Sequence, residues 1–154
     1  MIFRTEMNNY IPLLTVIIMT LLSTSSMNAQ DLGKHQWKQR LLLVITDNGT
    51  NGAFKQQLQE LKRQEKGLED RKLIVYQITP TAYRTGTADE NKWIESTTLY
   101  RQHKTIRKPF EVILIGLDGK KKMEQYDVLS TTDLFNTIDA MPMRRAETRR
   151  KNNP

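Results

Sequence analysis

The residues that could carry chemistry in this chain are few, and the nucleophile of thiol enzymes is missing. The sequence of 154 residues contains no cysteine, so it forms neither a thiolate nor a disulfide. Its two histidines, His35 and His103, stand in different segments without the closely spaced ligands that a metal site needs. Thr50 has a hydroxyl but no evident base partner that would activate it. The sequence therefore predicts no metal site and no cofactor, and it excludes thiol–disulfide exchange.

A polar loop is the first candidate binding site. Asp47, Asn48, Thr50 and Asn51 follow the apolar run 41–45 and precede a helical pattern. Asn51 is a suitable N-cap for that helix, and exposed amide groups at a helix start can hold an anion. We interpret the loop either as a polar binding site or as a connecting turn.

The basic end of the chain is the second candidate. Asp139 precedes Arg144 and Arg145 within a segment that also contains two methionines. One interpretation is an anion site formed by the arginine pair and oriented by Asp139. The other is structural, with Asp139 fixing the chain where the last helix ends while the methionines fill the edge of the core. The lysines at 120–122 are interpreted as a solvated turn or, alternatively, as a polyanion site.

The apolar periodicity indicates which elements must position these residues. Continuous apolar runs predict buried strands, and apolar residues at helical spacing predict amphipathic helices. We predict strands at 41–45, 73–78, 110–115 and 121–126, separated by helices near 54–68 and 93–100 and followed by a helix near 131–138. Pro142 is expected to stop the last helix, residues 80–90 to form a long loop, and Asp118-Gly119 to form a type I′ turn. The order predicts an α/β fold with a central mixed four-stranded sheet flanked by helices.

The first residues have the layout of a targeting segment. Arg4 supplies a positive charge, an apolar run follows at 11–22, and small and polar residues lead to Ala29. The run is shorter than the about 20 residues of a spanning helix, which favours a cleaved signal peptide at 1–29 over a retained membrane anchor. Cleavage after Ser25 is an alternative to cleavage after Ala29. We therefore expect an exported, periplasmic or extracellular protein with no stable membrane span after cleavage, one domain at 30–145 and a disordered basic tail at 146–154.

Two resemblances extend this interpretation. Pro109 directly precedes the third strand, and the turn at 116–120 follows it, as in the thioredoxin-like superfamily, whose cis-proline opens that strand. The resemblance implies that the loop at 47–52 faces Pro109 and occupies the place of the missing reactive cysteine. The segments 37–44, 115–119 and 138–145 resemble a peroxiredoxin-like domain family of unknown function found in exported bacterial proteins, and Leu117 departs from its usual lysine.

The function expected from these observations is binding. A net charge of +7, concentrated at 120–122 and in the tail, favours an anionic partner, for which we consider an anionic surface, a polysaccharide or an envelope protein. Export argues against nucleic acid. The alternative suggested by the fold resemblance is a thiol-independent oxidoreductase or peroxide-handling enzyme.

Overall fold

The computed structural model describes residues 32–105 and 107–152, so the predicted signal segment lies outside the described residues. These residues form a six-stranded sheet in the order β4-β3-β2-β1-β5-β6. β1 and β2 are parallel, and the other neighbouring strands are antiparallel. The strands are β1 (Arg40–Thr46), β2 (Leu73–Ile78), β3 (Ala82–Thr85), β4 (Ile94–Glu95), β5 (Phe110–Ile115) and β6 (Lys121–Gln125).

Helices cover both faces of this sheet. A 3₁₀ helix at Leu32–His35 precedes β1, and the α-helices are α1 (Gly52–Lys62), α2 (Glu65–Asp70), α3 (Thr98–His103), α4 (Thr131–Asp139) and α5 (Pro142–Asn152). α1 and α2 connect the parallel pair β1 and β2, which makes a βαβ unit. The mixed α/β fold with a helix-flanked sheet is therefore as predicted.

The continuous apolar run of β1 follows from its central position. All seven residues of the strand are buried, because helices pack on both sides of it. Leu42 and Val44 contact the core formed with α1, α2 and α4. Leu41 and Leu43 contact the second core, to which α3 contributes Leu99.

The prediction of four strands was wrong, because β3 and β4 lie where a long loop and the start of a helix were expected. The polar character of this segment concealed β3. Arg84 is buried in the strand because its Nε donates to Gln77 Oε1 at 2.9 Å and its Nη1 to Asp89 O at 2.8 Å. With β4 occupying Ile94–Glu95, the helix begins only at Thr98.

Two local backbone predictions also differ from the structure. In the turn between β5 and β6, only Gly119 has a positive φ, 74°, whereas a type I′ turn needs positive φ at Asp118 as well. Gly119 N instead donates to Gly116 O at 3.0 Å, so a type I turn precedes the left-handed glycine. No peptide bond between the described residues is cis. The bond before Pro109 is therefore trans, whereas the thioredoxin-like resemblance implies a cis-proline at this place.

The basic tail is helical and not disordered over 146–152. α4 does end before Pro142, but this proline starts α5, because it fits the first turn of a helix where no N–H is needed. The basic residues in the last turn of α5 complement the helix dipole. None of the residues of α5 is buried, so the sequence lacks the apolar periodicity that would predict this helix.

Candidate functional site

The loop after β1 and Pro109 come together at one end of the sheet. Asp47 N and Thr46 Oγ1 both donate to the carbonyl oxygen of Pro109, at 3.0 and 3.1 Å. The antiparallel pairing of β1 with β5 brings them there, since Thr46 is opposite Phe110. The loop thus lies beside the proline, as the thioredoxin-like resemblance implies.

The asparagines of this loop bond to their own backbone. Asn48 Oδ1 accepts from Thr50 N at 3.0 Å, and Asn51 Oδ1 accepts from Phe54 N at 3.1 Å as the N-cap of α1. The hydroxyl of Thr50 forms no hydrogen bond with any described residue. Asn48, Thr50 and Asn51 are therefore engaged as a connecting turn and a helix cap.

Asp47 belongs to a cluster of polar side chains that the sequence analysis missed. Its Oδ1 accepts from the Tyr100 hydroxyl at 2.5 Å and lies 4.0 Å from Lys104 Nζ. Lys104 Nζ also lies 3.4 Å from Oε2 of Glu111, which is fully buried in β5. Burial raises the pKa of Tyr100 to about 12, and its hydrogen bond to Asp47 adds to this effect. The sequence contained one indication of this cluster, because Glu111 is a charged residue in an otherwise apolar strand.

A second carboxylate extends the cluster across β6. The hydroxyl of Thr105 lies within hydrogen-bond distance of both Glu111 and Glu124, and it donates its one hydrogen to one of them at a time. Glu124 also accepts from Lys121 and, at 2.5 Å, from the Tyr126 hydroxyl. These hydrogen bonds, that from Lys121 first, lower the pKa of Glu124 to about 2. The cluster thus consists of hydrogen-bonded charges of both signs, and it contains no cysteine, serine or histidine among its described members.

Asp139 and Arg144 meet at the junction of α2, α4 and α5. Asp139 accepts from Arg71 Nη2 at 2.5 Å and from Arg144 Nε at 3.2 Å. Arg144 also donates to the carbonyl of Asp70 at 2.8 Å and to its carboxylate. Hydrogen bonds from Lys151 and Arg144 lower the pKa of Asp70. Asp139 therefore ties the end of α4 to α2 and α5, as the structural interpretation expects. Of the two methionines, Met141 packs against the core and Met143 is exposed.

Arg145 takes no part in this network. It is exposed on α5 and forms no ion pair with a described residue, so the two neighbouring arginines do different work. The predicted site residues therefore separate into two groups, one around Pro109 and the other at α5. Within the described ranges, no three His, Cys, Asp or Glu side chains come together as metal ligands. No helix in the same ranges is long and apolar enough to cross a membrane.

Comparison with known families assigns most of the chain to one family. The family model described as a domain of unknown function, DUF4174, matches residues 31–147. The chain belongs to this family. The matched range contains both groups of predicted site residues but ends before the last basic residues of α5.

Solved structures show the fold of this DUF4174 domain. A reduced 2-Cys peroxiredoxin from Plasmodium vivax is similar with a TM-score of 0.53 and 12% sequence identity, covering 76% of this chain and 72% of that chain. No curated protein matches the chain. The DUF4174 domain thus has a peroxiredoxin-like, thioredoxin-like fold without any cysteine, and the fold by itself assigns no activity.

Proposed function

We propose that this chain is a non-enzymatic binding module that acts outside the cytoplasm and engages an anionic partner through exposed arginines of α5. The observation that carries the proposal is a set of three arginines, Arg145, Arg149 and Arg150. All three are exposed, and none forms an ion pair with a described residue. By contrast, Arg144 and Lys151 are paired with Asp70.

The spacing of these arginines suits a partner with repeated negative charges. Arg145 and Arg149 are four residues apart and lie on the same side of the helix, where Arg149 Nε donates to Arg145 O at 3.4 Å. They line a shallow depression of about 610 Å³, whose other lining residues are Asp139, Arg144, Thr148 and Asn152. An acidic polysaccharide or an anionic lipid surface offers anionic groups along such a face. The predicted targeting segment at 1–29 supports export, and export argues against nucleic acid as the partner.

The lysines at 120–122 do not provide an equivalent surface. Lys121 pairs with Glu124, and Lys122 Nζ lies 2.7 Å from Asp118 Oδ2. Only Lys120 is exposed without an ion pair to a described residue. The α5 face is therefore the stronger candidate.

The test is retention of the full chain on a heparin resin and binding to anionic lipid vesicles, each at increasing salt. Replacing all three arginines by glutamine should weaken binding by up to about a hundredfold, because an exposed charge contact contributes up to about 1 kcal/mol. The matched control is the triple variant Lys55→Gln, Lys66→Gln and Lys120→Gln, which removes the same charge from exposed sites elsewhere. Equal losses in the two variants, or wild-type retention that ignores salt, would refute the proposal.

The polar cluster around Asp47 and Glu111 is the observation that favours a second candidate function, an enzyme. A thiol-independent oxidoreductase or peroxide-handling enzyme would have its polar groups here, beside Pro109. This candidate predicts that the purified chain consumes peroxide and that Tyr100→Phe reduces the rate. Wild-type protein without turnover, with and without common cofactors, would rule against it.

A further inference from the structure

A groove lies beside the first residues of β2, beyond the point where β3 ends. Its volume is about 720 Å³, within the about 300–1,000 Å³ that is typical of ligand sites. The groove contacts Leu73, Ile74 and Val75 in succession, although the first and the last pack in one core and Ile74 packs against the other. A groove that contacts three consecutive strand residues with alternating side chains runs along the edge of that strand.

The edge of β2 is open here because the chain of β3 turns away from it. After the last paired residues of the two strands, Gly86 N makes one more hydrogen bond, to Val75 O at 2.8 Å. Gly86 has a positive φ of 86°, a conformation that glycine adopts readily. The next residue, Thr87, contacts α2, where its hydroxyl donates to Glu65 Oε1 at 2.7 Å. Leu73 is therefore left without a neighbouring strand on this side.

The backbone of Leu73 offers both a donor and an acceptor to the groove. Arg40 N donates to Lys72 O at 2.8 Å, so in the parallel pair Lys72 and Ile74 bond towards β1. The N–H and C=O of Leu73 point the other way, and they form no hydrogen bond with a described residue. Backbone groups of a buried strand are rarely left unpaired, so this edge favours the addition of another strand.

Charged residues stand at both ends of this open edge. Lys72 and Lys38 lie just before β2 and β1, and both are exposed without an ion pair to a described residue. Glu65 lies at the other end, where the segment after β3 contacts α2. Glu69 is one turn further along α2, so the groove is lined by two positive and two negative side chains. A ligand with one charge of each sign complements this lining better than a simple ion does.

We propose that this groove binds a short peptide with free termini, which pairs antiparallel with β2 opposite Leu73. The middle residue of the peptide donates its N–H to Leu73 O and accepts from Leu73 N. This direction places the carboxylate near Lys38 and Lys72 and the ammonium near Glu65. About three residues, at about 3.4 Å each, span the edge between Gly86 and the lysines. The site shares no residue with the exposed arginines of α5, so it does not depend on the function proposed above.

The wall formed by α2 restricts the middle side chain of the peptide. Directly opposite residues of an antiparallel pair have their side chains on the same face of the sheet. Leu73 packs in the core that contains Leu68 of α2, and Leu68 also lines the groove. The middle side chain therefore lies towards this leucine, and a small apolar residue such as valine suits the position.

The experiment uses the full chain and the tripeptide Ala-Val-Ala. Calorimetry should give a dissociation constant of about 1 mM or lower, as expected for a ligand of about 18 heavy atoms. Amide exchange is followed by NMR in parallel. At ten times the dissociation constant the Leu73 amide should exchange with solvent about tenfold more slowly, because it is covered in the complex. The Gly49 amide, in the exposed loop after the opposite end of β1, should exchange at an unchanged rate.

Two modified peptides test the two kinds of contact separately. N-methylation of the valine removes the donor to Leu73 O and should weaken binding at least tenfold. Acetylation of the amino terminus together with amidation of the carboxyl terminus removes both charges and should weaken binding about tenfold.

Variants of the chain test the charged ends of the groove. Lys38→Gln combined with Lys72→Gln should weaken binding of Ala-Val-Ala by up to about tenfold but leave binding of the blocked peptide unchanged. The matched control is Lys55→Gln with Lys66→Gln, which removes the same charge outside the groove and should have no effect. Glu65→Gln keeps an acceptor for the hydroxyl that it bonds and should also weaken binding of the free peptide.

Four outcomes would overturn the proposal. The first is the absence of saturable binding of Ala-Val-Ala at 10 mM, on the order of ten times the expected dissociation constant. The second is equal affinity for the N-methylated peptide, or binding without slower exchange at Leu73, because the ligand would then not pair with β2. The third is equal affinity for the blocked peptide, which would point to a strand of a longer chain as the occupant. The fourth is an equal loss in the two lysine variants, which would show that overall charge determines binding.

Discussion

The buried ion pair between Glu111 and Lys104 should be the most sensitive point of the polar cluster. Glu111 is fully buried in β5, Lys104 is 10% exposed, and their charged atoms are 3.4 Å apart. Removing one partner of such a pair typically costs about 3–5 kcal/mol, because the other charge stays buried without compensation. Replacing both partners by apolar residues of similar size costs far less.

The single substitutions should therefore be unequal. For Glu111→Leu we expect a loss of about 3 kcal/mol in the free energy of unfolding, at the lower end of the range. Lys104 would still donate to the Lys108 carbonyl at 2.5 Å and lie 4.0 Å from Asp47. Lys104→Met should cost about 4 kcal/mol, because the buried Glu111 would keep only Thr105 as a hydrogen-bond donor among the described residues.

The double variant decides whether the pair acts as a unit. The free energy of unfolding of the double variant, Glu111→Leu with Lys104→Met, should lie within about 1 kcal/mol of the wild-type value. This gives a large coupling energy in a double-mutant cycle. The measurement is urea unfolding at pH 7. With a slope of about 1.5 kcal/mol per molar urea, a loss of 3 kcal/mol lowers the midpoint by about 2 M. Costs that simply add in the double variant would refute the reasoning, since independent residues show no coupling.

The remaining stability predictions concern packing and acid. Gly67→Ala should lower the unfolding free energy by about 1–2 kcal/mol despite the better helix propensity of alanine, because its Cβ would lie 2.7 Å from the Phe135 ring. Gly49→Ala has open space around its Cβ, so calorimetry should show little change, and equal melting temperatures for the two variants would contradict the packing argument. Glu124, whose pKa is about 2 in the folded chain against an ordinary 4.5, stabilises the fold above pH 4.5 and loses this contribution as the pH falls towards 2. Glu124→Gln should therefore flatten the pH dependence of unfolding in that window, and an unchanged acid profile would show that its hydrogen bonds, the one from Lys121 foremost, do not hold it ionised.

The sequence predicts an element well where one physical signal dominates. Strands β1, β2 and β5 are runs of apolar residues buried by helices, and each appears where its run predicts it. β3 was not predicted because it lacks such an apolar run, and the burial of Arg84 in it depends on Gln77, a partner seven residues away. Side-chain hydrogen bonds of this kind replace the apolar signal and leave no periodicity to recognise.

The candidate sites divide in the same way. The cap formed by Asn51 was predictable, since a cap bonds within three residues along the chain. The contacts of Asp139 with Arg71 and of Arg144 with Asp70 join residues 68 and 74 positions apart. Nothing in the local sequence distinguishes such charges from solvated ones. Tyr100 was likewise assigned to a helix, but its contact with Asp47 depends on how α3 packs against the sheet.

The way in which α5 is attached determines how binding through it must be tested. The helix buries none of its residues, and charged contacts hold it, among them Arg144 with Asp70 and Glu147 with Arg40. Salt screens exposed pairs more than buried ones, so Lys151 with Asp70 should weaken first and Arg40 with Glu147 last.

Rising salt would therefore loosen the end of α5 while it also weakens any contact with an anionic partner, and a salt titration of the wild type cannot separate the two effects. The triple arginine variant does separate them. None of its three positions forms an ion pair with a described residue, so the ion pairs that attach the helix should be unchanged while binding falls. A variant that lost binding together with its melting temperature would show that the arginines stabilise the helix, and the anionic partner would then have to be sought at another surface.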